Sequence, residues 1–246
     1  MRSDVAALVP AYRAADTVGA VVAGARAYFT HVLVVDDGSG DGTGAAAAAA
    51  GADVITHPVN LGKGAALDTG LHALGARGVG RVLTLDADGQ HLPEEIPVLL
   101  AASDATPAAI VVGVRRKEGQ TIARLNRFGN WIADRLLRVI AGRALPDTQS
   151  GFRVYPVAAT LALGTRGSRY DFETEVLLLA AREGIPLVGV PVRVWYPPVA
   201  ERVSHFRKGR DTLRIIGTVI RVRFGPRNRP PAAPARAPAG ARRLGE

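Results

Sequence analysis

Short apolar runs, separated by longer stretches of mixed polarity, recur through the first half of the chain. Residues 5–9, 32–35, 54–55, 82–85 and 110–114 are rich in Val, Leu and Ile and too short for helices. Such runs read as strands buried on both faces. Pro10 is expected to stop the first of them. Helical segments fall in between. Asp16 is the expected cap of one that runs to about Tyr28. Asp41 or Thr43 is expected to start an Ala-rich one that ends at Ala50, with Gly51 as its stop signal. Asn60-Leu61-Gly62-Lys63-Gly64 opens a third, through about Leu74, and Pro93 fits the first turn of a fourth, through Leu100. Strands alternating with helices predict an α/β fold with a mostly parallel, doubly wound sheet.

The second half is less regular. Residues 122–140 have a helical pattern, and 146–155 form a polar loop leading into a short extended segment. Residues 171–182 read as a helix with Glu173 and Glu175 near its start, and 187–194 as a strand. From residue 204 the character changes. Phe206, Leu213, Ile216, Ile220 and Phe224 recur at helical spacing, and Arg207, Arg210, Arg214 and Arg221 form a second stripe. A helix with one apolar and one basic face suits a membrane interface. The alternative is a helix packed on the domain with its charged face in water, and Gly209 and Gly217 weaken the helix. Residues 225–246 hold Pro, Ala and Arg without apolar periodicity, so disorder is expected there. The expected division is a catalytic-sized domain over 1–202, an amphipathic basic helix over 203–224 and a tail over 225–246.

Composition adds two constraints. The 246 residues include no Cys, which removes disulfides and Cys-ligated zinc. The apolar run at the N-terminus is too short for a signal peptide, and no stretch approaches the ~20 apolar residues of a membrane span. A cytoplasmic protein, peripheral on the inner face of the membrane, is the expectation. The net charge of +9 is unevenly placed. Residues 1–200 hold 19 Lys+Arg and 19 Asp+Glu, whereas 201–246 hold 12 and 3. The folded part is therefore neutral, and the basic end calls for an anionic partner. Nucleic acid is not expected, because the folded part is neutral and only 5% of residues are aromatic.

The chemistry gathers at the strand ends. Asp86-Ala87-Asp88 directly follows the run 82–85, and acids there face the crevice where open α/β sheets bind ligands. Two carboxylates in this place suit a hard divalent cation and a diphosphate, the alternative being a solvated acidic turn. Asp36 and Asp37 end the second strand, where an acid can accept hydrogen bonds from a ribose or a base. Lys63 and its glycines at a helix start suit an anion. The chain lacks Gly-x-x-x-x-Gly-Lys-Ser/Thr, which argues against a P-loop NTPase. It also lacks Gly-x-Gly-x-x-Gly after the first strand, which argues against a dinucleotide oxidoreductase.

Five segments, in order, resemble the inverting family 2 glycosyltransferases of GT-A fold, and within them the dolichyl- or polyprenyl-phosphate mannosyltransferases. They are Val9-Pro10-Ala11-Tyr12, Val34-Val35-Asp36-Asp37-Gly38-Ser39, Asn60-Leu61-Gly62-Lys63-Gly64, Leu85-Asp86-Ala87-Asp88-Gly89-Gln90-His91 and Asp147-Thr148-Gln149-Ser150-Gly151-Phe152-Arg153. The resemblance spans roughly residues 4–195. It implies a metal-dependent enzyme that moves a sugar from a GDP- or UDP-sugar donor to a lipid-phosphate acceptor, in contact with an anionic membrane. It places Pro10, Tyr12, Asp36, Asp37, Lys63, Asp86 and Ala87 at the nucleotide, and Asp86, Asp88 and Gln90 at Mg²⁺ or Mn²⁺. It places Arg115, Arg116, Arg124 and Arg127 at the acceptor or donor phosphates, where a planar fork bonds phosphate bidentately. Ser150, Gly151 and Phe152 would shape the acceptor side, and His91 would lie near the metal.

Asp147 has two readings. With a hydroxyl acceptor it would be the general base; with a phosphate acceptor, already an anion, it would orient Arg153 or cap a turn. Arg207 and Lys208, in a segment of looser resemblance, would reach the lipid phosphate. One departure stands out: the family commonly has an acid where this chain has Ala14, and Asp16 either compensates or caps the helix. Two further readings are a sugar-1-phosphate nucleotidyltransferase, which usually carries a Gly-rich basic loop after the first strand, and a non-catalytic binding protein.

Overall fold

The computed structural model describes residues 4–115, 146–148, 150–169, 171–195 and 208–224, the last with side chains from residue 216 on. In chain order the elements are β1 (Val5–Ala11), α1 (Val18–Arg26), β2 (Val32–Asp36), α2 (Thr43–Ala49), β3 (Asp53–Thr56) and α3 (Lys63–Ala76). There follow β4 (Arg81–Thr84), a 3₁₀ turn (Pro93–Glu95), α4 (Ile96–Ala105), β5 (Ile110–Arg115), β6 (Arg153–Pro156), α5 (Val157–Ala162), α6 (Asp171–Arg182), β7 (Leu187–Val192) and α7 (Lys208–Phe224). The strands form one seven-stranded sheet in the order β3-β2-β1-β4-β6-β5-β7. β6 is antiparallel to both neighbours, and the other pairs are parallel.

Both faces of the sheet are covered, which is why its central strands are apolar without alternation. Val5, Ala7 and Val9 pack with α1, α2 and α4, including Val18, Val22, Ala47, Ile96 and Leu99. Ala6 and Leu8 point the other way, to Leu67 and Leu71 of α3 and Val176 of α6. The period-two alternation of a strand thus feeds two cores rather than a core and a solvent face.

Pro10 does not end β1, which continues to Ala11 opposite β2. The last β4 partner of β1 is Leu8, whose carbonyl accepts the Leu85 N–H. Pro10, two residues on, turns its nitrogen to that same side, beyond the ladder, where no N–H is needed. Asp16 does not cap α1; Thr17 holds that position without a side-chain cap. Pro93 starts a 3₁₀ turn, and α4 extends to Ala105. The 122–140 helix, the 202 limit and the 225–246 tail lie outside the described residues.

The antiparallel β6 is what shapes the crevice. The parallel strands β1, β2, β4 and β5 all end at one edge. β6 runs against them, so the segment leading into it, residues 150–152, arrives at that edge. Arg153 fixes this entry. It is fully buried, and its guanidinium donates to the carbonyls of Ser150 (2.7 Å), Thr148 (2.9 Å) and Glu173 (2.7 Å).

Candidate functional site

Asp86 and Asp88 lie just past β4, at this edge. Asp86 is the hub. Its Oδ1 is 2.6 Å from Lys63 Nζ, and the same ammonium is 3.1 Å from Glu173 Oε1. Lys63 comes from the first turn of α3 and Glu173 from the first turn of α6, so one cation ties three elements together. Burial opposes the charge on Lys63, but the Asp86 and Glu173 carboxylates outweigh it and push the ammonium up. Burial also works against an ionised Asp86, yet the Lys63 ammonium above all holds its carboxyl down to about 2.

His91 stands behind Asp86. The Asp86 N–H donates to His91 Nδ1 at 3.0 Å, which leaves the ring proton on Nε2, 3.9 Å from Asp86 Oδ2. Burial pushes the imidazole down despite the two nearby aspartates, so the ring is neutral at physiological pH. Phe152 stacks on it, with centroids 4.9 Å apart. Gly151 completes the wall: a Cβ there would lie 2.5 and 2.6 Å from the two Asp86 oxygens, so any other residue would push the carboxylate from its place.

Asp88 is exposed at the crevice mouth, and its Oδ1 accepts the Gln90 N–H at 3.0 Å. Partial loss of solvent around the carboxyl, in a residue otherwise exposed, and the Asp86 charge push it up. Among the described residues, no three His, Cys, Asp or Glu side chains converge on one point. Two hard carboxylates, one disfavoured by the other's charge, still fit a cation that keeps waters and takes phosphate oxygens as further ligands. Mg²⁺ and Mn²⁺ are of that kind, so the residues present suit the expected metal.

The loops around Pro10, Tyr12, Asp36 and Asp37 form the neighbouring part of the crevice. Asp36 Oδ1 accepts the Ser39 N–H (3.1 Å) and hydroxyl. Ser39 Oγ in turn accepts the Arg13 N–H (2.9 Å), and Thr43 Oγ1 accepts the Ala14 N–H (2.9 Å). Arg13 is held at φ 51°, with its guanidinium over the Tyr12 ring. The Thr17 hydroxyl donates to the Ala87 carbonyl at 2.6 Å. These hydroxyl contacts fix the stretch in which Ala14 replaces the family's acid, and Asp41 lies alongside, accepting the Ala15 N–H.

Asp37 holds the glycine loop. Its Oδ1 accepts from His57 Nδ1 (2.8 Å) and the Leu61 N–H (2.9 Å), and its Oδ2 accepts the Gly62 N–H (2.7 Å). The start of α3 is covered from outside, because Ser168 O accepts the Ala65 N–H at 2.9 Å. A Cβ on Gly62 would meet Ser168 O at 2.5 Å, and one on Gly64 would meet the Arg169 carbonyl at 2.7 Å. The glycines therefore allow close backbone packing that delivers Lys63 to Asp86.

On the other side of the crevice, Arg115 at the end of β5 grips Asp147 with a fork: Nε to Oδ2 at 2.6 Å and Nη2 to Oδ1 at 2.9 Å. Asp147 therefore orients Arg115 rather than Arg153. Arg116, Arg124, Arg127 and Arg207 lie outside the described residues. Lys208 is the first residue of α7, and its side chain is not among those described. The sequence did not single out Glu173 as the partner of Lys63 or Gly151 as the wall of Asp86. An acidic first turn and a Ser-Gly-Phe loop were the only local signals.

The model of the family described as glycosyl transferase family 2 matches residues 6–162. The chain belongs to this family. It is thus a glycosyltransferase, and its curated relatives point to one branch. Over 171 residues it is 29% identical to a UDP-N-acetylglucosamine–dolichyl-phosphate N-acetylglucosaminyltransferase of Methanococcus voltae, covering 68% of this chain and 65% of that one. Over 172 residues it is 29% identical to an undecaprenyl-phosphate mannosyltransferase of Micrococcus luteus, covering 65% and 70%. Among solved structures, glucosyl-3-phosphoglycerate synthase of Mycobacterium tuberculosis, in complex with Mn²⁺, UDP and phosphoglyceric acid, superposes with a TM-score of 0.70 at 20% identity. That match covers 90% of this chain and 79% of the other and establishes the shared GT-A fold.

Proposed function

We propose that this glycosyltransferase moves a sugar, with inversion, from a nucleotide-sugar donor to a polyprenyl phosphate at a membrane surface. Pro10, Tyr12, Asp36 and Asp37 line the base and ribose side, directly or through the loops they hold. Lys63 keeps Asp86 ionised, and Asp86 and Ala87 border the diphosphate. Asp86, Asp88 and Gln90 would hold Mg²⁺ or Mn²⁺, which supplies neutralisation of the charge on the departing diphosphate. The M. tuberculosis neighbour, solved with Mn²⁺ and UDP, supports a metal-assisted donor site.

The observation that favours a phosphate acceptor is the Arg115–Asp147 fork. Both Asp147 oxygens bond to Arg115, at 2.6 and 2.9 Å. A carboxylate held this way is a weak base, and a phosphate acceptor needs none, since its oxygen is already an anion. The fork sets the Arg115 plane, with Arg116, Arg124, Arg127, Arg207 and Lys208 as further candidates for phosphate. In the second reading a hydroxyl of a glycan or lipid is the acceptor and Asp147 its base.

Transfer assays with GDP- and UDP-sugars, Mn²⁺ and either a polyprenyl phosphate or a hydroxyl acceptor separate the two. We expect transfer to the lipid phosphate and a loss of about tenfold or less for Asp147→Asn. A general base would lose some 10²–10⁴-fold, with transfer to the hydroxyl instead.

The membrane contact rests on α7. Ile216, Ile220 and Phe224 are exposed along it, with Arg223 beside Phe224, while Val219 and Val222 are buried. Among the described residues no helix is long and apolar enough to cross a membrane. An exposed apolar stripe with Arg223 beside it suits the surface of an anionic bilayer, while Arg221, expected on the basic stripe, turns inward to Glu175. Flotation with anionic vesicles should carry the full chain and leave a chain lacking 203–246 behind; equal flotation of both would remove α7 from that role.

A further inference from the structure

The inner face of α7 reaches the donor site through a buried carboxylate, Glu175. Glu175, on α6, has only 3% of its side chain exposed. Its Oε1 is 3.0 Å from Arg221 Nη2 of α7. Its Oε2 accepts two backbone N–H groups, from Arg166 at 2.9 Å and Gly167 at 2.6 Å. The next residue, Ser168, presents the carbonyl that accepts the Ala65 N–H and presses on Gly62 and Gly64. Those glycines flank Lys63, and Lys63 bonds Asp86. The fit is tight at every joint. A Cβ on Gly167 would lie 2.7 Å from the Phe172 nitrogen and 3.0 Å from Glu175 Oε2.

Further contacts fix α7 in register with this loop. Arg182 donates to the Val222 carbonyl at 2.9 Å, and the Thr218 hydroxyl lies 3.4 Å from Asp171 Oδ2. Asp171 Oδ1 also accepts the Arg169 N–H at 3.1 Å. The 164–169 loop is thus strung between α7 and the glycine loop. Its backbone donors are satisfied by an acid whose countercharge comes from α7. Without Arg221, the buried Glu175 carboxylate keeps its two N–H donors but has no cation beside it among the described residues, so it must reorient. That reorientation moves the N–H groups of Arg166 and Gly167, and the loop with them.

We propose that Arg221 and Glu175 are positioning residues for the donor site: their ion pair fixes the 164–169 loop, and through it the glycine loop and Lys63, in the arrangement that holds Asp86. The C-terminal helix is then part of the donor site's support. This rests on the donor-site reading above and goes beyond it, because neither residue touches substrate. Coupling of this kind is carried by packed, hydrogen-bonded elements between two places.

The test is calorimetric titration of GDP and UDP, each with Mn²⁺, into the full chain, Arg221→Ala, Arg221→Lys and Glu175→Gln. Dissociation constants report on folded molecules, so a smaller folded fraction does not imitate weaker affinity. We expect Arg221→Ala to weaken nucleotide binding about tenfold, and Arg221→Lys to restore most of it. Glu175→Gln keeps an oxygen for the two N–H groups but loses the charge that holds Arg221, so it should weaken binding by less. In transfer assays the donor KM should rise while the acceptor KM stays. Unchanged nucleotide affinity in both Arg221→Ala and Glu175→Gln, whatever their melting temperatures, would reduce the pair to a stabilising contact and overturn the proposal. Absence of nucleotide binding by the unaltered chain would instead remove the donor-site reading, and this inference with it.

Discussion

Asp88→Ala is expected to lower sugar transfer by at least about a thousandfold, the several kcal/mol a bound cation contributes at a developing charge. The fold should hardly notice. Asp88 is exposed and, among the described residues, bonds only the backbone N–H two residues on, at 3.0 Å. Removing it also removes the charge that faces Asp86. Exposed substitutions of this kind stay within about 0.5 kcal/mol, or ~1–2 °C in a chain of this size. Parallel measurement of transfer rate and melting temperature checks both halves. A melting point that falls with the rate would make Asp88 a structural acid of its turn.

Lys63→Met should do the opposite and reach stability and binding together. The Met side chain fills much of the space but leaves Asp86 and Glu173 without the cation they share. Removing one member of a buried pair costs about 3–5 kcal/mol. The lower end applies here because 26% of the Asp86 side chain is exposed. About 3 kcal/mol corresponds to a fall of ~6–12 °C. The pH dependence follows from the signs. In the unaltered chain Asp86 is held down to about 2, so its ion pair stabilises the fold above the ordinary value of 3.8 and is lost as pH falls towards 2. In the variant Asp86 loses the ammonium that does most to depress it, and Glu173, already pushed up by burial, loses the same cation that opposed this. Both carboxylates then take up protons at higher pH. The gap in melting temperature between the two chains should therefore be largest near pH 7 and narrow towards pH 4. A gap independent of pH would mean that lost packing, rather than charge, carries the effect.

The strands of the parallel sheet were legible because burial on both faces leaves an unbroken apolar run, as in Val32–Asp36 and Ile110–Arg115. The acids after β4 were legible because their chemistry is local, two carboxylates and a glycine within four residues. What stayed hidden depends on contacts distant in sequence. β6 carries a charge and a proline in four residues, Arg153-Val154-Tyr155-Pro156, and the carbonyls of Ser150, Thr148 and Glu173, with the Tyr155 hydroxyl, make a buried Arg153 reasonable. Lys63 read as an anion ligand at a helix start. Its ammonium instead bonds Asp86 and Glu173, because the Ser168 carbonyl covers that start and turns the glycines to packing. Asp37 read as a ribose acid, and its oxygens in fact bond the N–H groups of Leu61 and Gly62. Pro10 read as a terminator because the sequence does not reveal on which side its neighbour strand has already ended.

The central claim is a metal-assisted nucleotide site at Asp86 and Asp88, and thermal unfolding with GDP and UDP, each with and without Mn²⁺, tests it most directly. A ligand that binds only the folded chain raises its melting temperature. The account predicts a rise with one of the two nucleotides that requires Mn²⁺ and vanishes in Asp88→Ala. No rise with either nucleotide in the presence of Mn²⁺, or a rise of equal size without the metal, would contradict it.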